Sequence, residues 1–237
     1  MTLLRHWSER LEGEPPRVWY HVLLLALVGL FVLDPLGGTL KVAHWLLTLG
    51  STTVLVLSIL VVGRTLVQVG IALGLLLPAV VLSHLFADPA TPGGVAGLLS
   101  SGLLLWYVSG SLAGRIFRHQ SVTWESISGA ICVYLLMGLA WSTTYRICEG
   151  QLADPSAFEG VVYGTGAGEQ DSVRQQLTYY SFVTLTTLGY GDISPTHPIT
   201  RMLATLEAVV GQLFLVVMVA RLVALQVAGH ASRESSP

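Results

Sequence analysis

Apolar windows recur along the 237-residue chain, at 18–33, 42–62, 66–86, 95–113, 126–145 and 199–226. A bilayer's hydrocarbon core is about 30 Å thick and takes about 20 helical residues to cross. The first five windows hold no Asp, Glu, Lys or Arg. Such a run is poorly explained as the buried helices of a soluble core, and it predicts six transmembrane helices. The first window is short and borrows Trp19, Tyr20 and His21 as an interfacial anchor. The breaks carry turn chemistry: Asp34-Pro35-Leu36-Gly37-Gly38, Gly63-Arg64-Thr65, and Asp88-Pro89 through Pro92-Gly93-Gly94. A different stretch, about 146–198, separates the last two windows. Its one apolar run, 177–188, is too short to span.

Composition sharpens this picture. Charged residues make up 11% of the chain and hydrophobic ones 52%, whereas a soluble domain is about 25% charged. Disorder and an ordinary soluble enzyme are both disfavoured. A net charge of −2 and a single lysine, Lys41, give nucleic-acid binding no electrostatic basis. No His-Glu-x-x-His, paired catalytic acids or nucleophile elbow appears, so no enzyme, soluble substrate or cofactor is expected. Gly164-Thr165-Gly166-Ala167-Gly168 looks like a phosphate loop but lacks the flanking strand, helix and Lys. Cys132 and Cys148 share one apolar segment and, if it is helical, lie roughly 24 Å apart, beyond disulfide reach. His44 and His84 read as solvated or packed side chains rather than metal ligands.

Orientation follows the basic residues. With the N-terminus inside, the inner side takes Arg5, Arg10, Arg17, Arg64, Arg115, Arg118, Arg221 and Arg233. The outer side takes Lys41, Arg146, Arg174 and Arg201, with acids concentrated there, among them Asp34, Asp88, Glu149 and Asp192. The first 17 residues hold three Arg and three Glu, unlike a cleavable signal peptide, and read as a cytoplasmic tail. Six crossings return the C-terminus to the cytoplasm of a plasma (cell inner) membrane.

The most informative stretch lies between the last two windows: Thr186-Thr187-Leu188-Gly189-Tyr190-Gly191-Asp192, preceded by a half-span helix at about 175–186. Here the chain resembles the potassium channel family, whose selectivity-filter signature this string matches, with Leu188 where Val or Ile is commoner. The resemblance covers 126 to about 226. It implies that the backbone carbonyls of Thr187, Leu188, Gly189 and Tyr190, with the Thr187 hydroxyl, replace the hydration shell of K⁺. Gly189 and Gly191 permit the positive φ that aims successive carbonyls at one axis. One chain forms one wall, so the implied partners are K⁺, membrane lipid and further copies in a homotetramer. Filter support is implied for Tyr179 and Tyr180, in an aromatic cuff, and for Val183, Thr184, Thr186 and Asp192. Val183 stands where some members carry an acid, which weakens an acid-pair link from Asp192 to the short helix. The segment 149–176 reads as a flexible, acidic outer turret.

Gly211 lies 19 residues after Asp192, matching the family's hinge glycine. Bending for gating and close helix packing both account for a glycine here. Gln212, Leu215 and Val219 share a stripe that can line a cavity. Glu207 is the sole acid within any window, a functional candidate by its depth. It can prop the back of the short helix by a hydrogen bond or act as a protonation-sensitive gating element. Arg221 is expected to snorkel to the inner interface. The window at 95–113 lacks the basic residues of a voltage sensor. The expected architecture is therefore an all-α membrane protein. It comprises a cytoplasmic tail (1–17), a four-helix sensor-like domain without gating charges (18–113), a linker (114–125), a pore domain with a re-entrant helix and filter loop (126–226) and a short tail (227–237). The expected function is passive, potassium-selective conduction without strong voltage gating. A weakly selective cation pore and a non-conducting subunit of another channel are the alternatives.

Overall fold

The computed structural model describes residues 18–34, 41–62, 65–86, 91–118, 123–152, 157–163 and 169–234. The expected 1–17 tail, the turn residues 35–38 and Arg64, the 164–168 glycine motif and the side chains of Lys41, His44 and His84 lie outside the described residues.

Seven helices form the described part: α1 (Val18–Leu33), α2 (Lys41–Val62), α3 (Leu66–Leu85), α4 (Pro92–Ile116), α5 (Trp124–Gln151), α6 (Glu169–Leu185) and α7 (Pro198–Glu234). Three begin on threonine caps: the side chains of Thr65, Thr91 and Thr123 accept from the amides of Gln68, Gly94 and Ser126. Each satisfies one of the amides that a helix start leaves without an internal partner. Pro92 begins α4, where its missing N–H costs nothing. Two helix ends are closed by distant arginines. Arg115 donates to the Val61 carbonyl at the end of α2. Arg221 of α7 donates to the Ile116 carbonyl at the end of α4 and lies 5.5 Å from the Phe117 ring. A guanidinium suits a helix C-terminus because free carbonyls and the negative end of the dipole gather there. Arg115 and Arg221 thus tie helix ends together across elements.

Helix α5 is the centre of the packing. It lies against α1, α4, α6 and α7, and Cys132, Leu136, Ala140 and Tyr145 on it are fully buried. Both cysteines of α5 are free. Helix α1 reaches α6 through Phe31, edge-on to Phe182 at 4.5 Å, and through the Asp34–Arg174 ion pair at 2.5 Å. Two-residue strands β1 (Phe158–Glu159) and β2 (Ser194–Pro195) pair antiparallel, Phe158 opposite Pro195 and Glu159 opposite Ser194.

Among the described residues, three helices are long and apolar enough to cross a membrane: α4, α5 and the Pro198–Val227 part of α7. Val18–Leu33, Leu49–Ile59 and Leu66–Leu82 are shorter apolar helices. At about 1.5 Å per residue, the 16 residues of α1 reach about 24 Å, less than a bilayer core. Burial differs sharply among the long helices. In the most apolar part of α5, 67% is buried, against 11% in α7.

Three boundaries correct the expected ones. The short helix starts at Glu169 rather than near 175, and α5 runs to Gln151, so the turret is shorter than 149–176. Its described part is also tied down. The Gln176 side chain pairs with both backbone groups of Val162, and the Thr196 amide donates to the Ala157 carbonyl. Helix α7 continues to Glu234, past the expected helix end at 226, while its membrane-crossing part ends at Val227.

Candidate functional site

The loop after α6 has an unusual backbone. Thr187, Gly189 and Gly191 have φ of +58°, +61° and +78°, while Leu188 and Tyr190 between them do not. Positive φ is free for glycine but rare for a β-branched residue such as Thr187. Its cause lies in the end of α6. The last four carbonyls of a helix lack internal partners, and here all four are used. Phe182 O accepts the Thr186 amide at 3.0 Å, and Thr184 O the Thr187 amide at 2.9 Å. Val183 O accepts the amides of Leu188 at 2.9 Å and Gly189 at 3.3 Å, and Leu185 O accepts the Tyr134 hydroxyl at 3.1 Å. In a planar trans peptide the carbonyl points opposite to the amide N–H that follows it. Amides turned back onto α6 therefore send the carbonyls of Thr187 and Leu188 away from it. The side chains of Leu188 and Tyr190 are exposed on a single chain, as is the whole stretch 186–192.

The two tyrosines expected in a cuff part company. Tyr179 donates its hydroxyl to Asp192 Oδ2 at 2.8 Å. That bond to a carboxylate holds the phenol above its ordinary range. Asp192 is thus tied to α6 by Tyr179, despite the apolar Val183. Tyr180 turns inward, its ring 5.1 Å from Tyr145 and 5.0 Å from Phe158. Thr186 donates to Phe182 O at 2.6 Å, and Thr184 serves through its backbone carbonyl.

Glu207 sits fully buried where α5, α6 and α7 meet. Tyr145 of α5 donates to its Oε2 at 2.6 Å, and Ser181 of α6 lies 2.6 Å from its Oε1 and 2.8 Å from Gly138 O. The acid therefore contacts the back of the short helix. Tyr145 and Ser181 were missed as its partners. The available signal was Glu207 itself: a buried acid requires donors, and Tyr145 is the lone tyrosine in the second half of the fifth window.

Gly211 faces the end of α6. A Cβ there would lie 2.6 Å from Leu185 O and 2.8 Å from Leu185 Cδ1. Close approach of α7 to α6 explains the glycine without a hinge, and α7 is one continuous helix through it. Gln212, the next residue, donates to Thr187 Oγ1 at 3.3 Å. Among the described residues no group of His, Cys, Asp and Glu could hold a metal ion.

Residues 133–227 match the family model described as Ion channel. The matched segment begins within α5 and ends within α7, so it contains α6, the 186–192 loop, Glu207 and Gly211. It supports an ion-channel family and, for this membrane-type chain, passive ion conduction. No curated protein matches the chain. The 186–192 loop lies between α6 and α7.

Proposed function

We propose that the chain is one subunit of a potassium-selective channel that conducts passively as a homotetramer, without cofactor or covalent chemistry. The observation that carries this is the loop backbone. Positive φ recurs at every second residue, and the amides of Leu188 and Gly189 are bound to α6. The peptide oxygens of Thr187 and Leu188 are thereby left for a ligand, and a row of such carbonyls can replace the water around a potassium ion. Identical walls are needed around the ion path, and the exposed loop and sparsely buried α7 are the surfaces those copies would cover. The six apolar helices would place the chain in a plasma membrane with both ends in the cytoplasm, and α6 would enter and return from the outer side.

Voltage dependence is expected to be weak. Moving one charge through 100 mV is worth about 2.3 kcal/mol. The sole charge of α4, Arg115, is engaged at a helix end instead. The test is flux into liposomes containing the purified protein. Uptake driven by a potassium gradient, absent with sodium and blocked by barium, is the expected result. Equal sodium and potassium flux would defeat the selectivity assignment, and no flux at all would favour a non-conducting subunit.

A further inference from the structure

We infer that Gln212 sets the properties of the innermost ion site, acting on the Thr187 hydroxyl as a positioning residue. The inference rests on the channel function proposed above. Its starting point is the close approach at Gly211. With no Cβ there, α7 meets the Leu185 carbonyl, and the next side chain reaches Thr187 near the start of the loop. Gln212 Nε2 then lies 3.3 Å from Thr187 Oγ1.

A hydroxyl has one proton and two lone pairs. The Thr187 proton is committed to the Thr186 carbonyl at 2.7 Å. A neighbour approaching Oγ1 must therefore be a donor, and the Gln212 amide presents its N–H₂ group. One lone pair is taken and one is left for a cation. Both bonds also fix the rotor, so the remaining lone pair has a set direction. A second observation points the same way. Thr187 is the only non-glycine residue with positive φ among the described residues. Such conformations persist where surrounding contacts over-determine them and gather at functional positions. The Gln212 bond is one of those contacts, and the bond from the Thr187 amide to Thr184 O is another. Helix α7 thus reaches the proposed filter through one side chain, and a ring of four would act there in the homotetramer.

Barium reads this site. It is close to potassium in radius and doubly charged, so from the cytoplasmic side it lodges where a dehydrated potassium ion first lodges. The experiment measures barium block in planar bilayers holding the full-length channel. Gln212→Met keeps the unbranched shape and removes the donor. The expected result is a half-blocking concentration raised about fivefold, the worth of one hydrogen bond. In a Thr187→Ala background, which lacks the hydroxyl, Gln212→Met should change the block no further. Should the Met variant not assemble, Gln212→Asn, which draws the amide back by one methylene, serves with the same expected rise. Potassium current with barium block unchanged by these substitutions would overturn the assignment of Gln212 alone. So would an equal rise in the Thr187→Ala background. Wild-type protein that passes no potassium would overturn the channel function itself, and this inference with it.

Discussion

Replacing Glu207 separates two descriptions of the buried cluster. Tyr145, Ser181 and Glu207 are all fully buried. Ser181 has a single hydroxyl proton but lies within hydrogen-bond distance of both Gly138 O and Glu207 Oε1. If the proton goes to Gly138 O, the contact with Oε1 needs a proton from the Glu207 side. The amide of Gln supplies one: its Nε2 can donate to Ser181 while its Oε1 accepts from Tyr145. Glu207→Gln therefore preserves every bond and should cost well under about 1 kcal/mol. Glu207→Leu strands the buried Tyr145 hydroxyl, at about 1–3 kcal/mol. Since about 1 kcal/mol moves the midpoint of a chain this size by about 2–4 °C, the Leu variant should melt several degrees lower. The assay is thermal unfolding of the purified protein in detergent, followed by far-ultraviolet circular dichroism. A Gln variant as unstable as the Leu variant would refute the proton count, because it would mean that the cluster requires a carboxylate.

Other substitutions test the loop and its supports. Gly189→Ala places a side chain at φ of +61°, at a cost of about 1–2 kcal/mol in the loop; potassium flux should vanish while the oligomer seen by size-exclusion chromatography persists. Gly211→Ala drives a methyl group into the Leu185 carbonyl and should destabilise by about 1–3 kcal/mol, read as a lower melting temperature; a hinge role alone would leave melting unchanged and alter open probability. Tyr179→Phe removes one exposed bond to Asp192, worth about 0.5–1.5 kcal/mol; conductance should fall by less than about tenfold in single-channel records with assembly intact.

Much of this fold is legible where apolar periodicity alone decides it. The window at 18–33 has the same bounds as α1, because aromatic residues open it and turn-forming residues follow it in the sequence. The window at 66 likewise begins where α3 does, whereas those at 95 and 126 begin two or three residues after the starts of α4 and α5 at Pro92 and Trp124. The start of α6 was not legible. Its first turns, Glu169 to Arg174, are polar, and the described contacts that hold them come from elsewhere: Asp34 pairs with Arg174, and Val162 receives Ser172 and Gln176. The β1–β2 pair, two residues a side, leaves no period to detect. In the loop, glycine at 189 and 191 declares positive φ, but Thr187 does not, since its conformation comes from the capping of α6. The Glu207 cluster joins residues 62 and 26 positions apart, and no local pattern encodes such a meeting. The hinge and packing roles of Gly211 cannot be separated by spacing, because both require only the missing Cβ.

The central claim is that main-chain oxygens from Thr187 through Tyr190 take the place of an ion's water. An experimental density map of the assembled protein with thallium, a heavy mimic of potassium, tests it most directly. Thallium density should lie on the symmetry axis in line with those oxygens. Density absent from the axis, or oxygens turned away from it, would contradict the account.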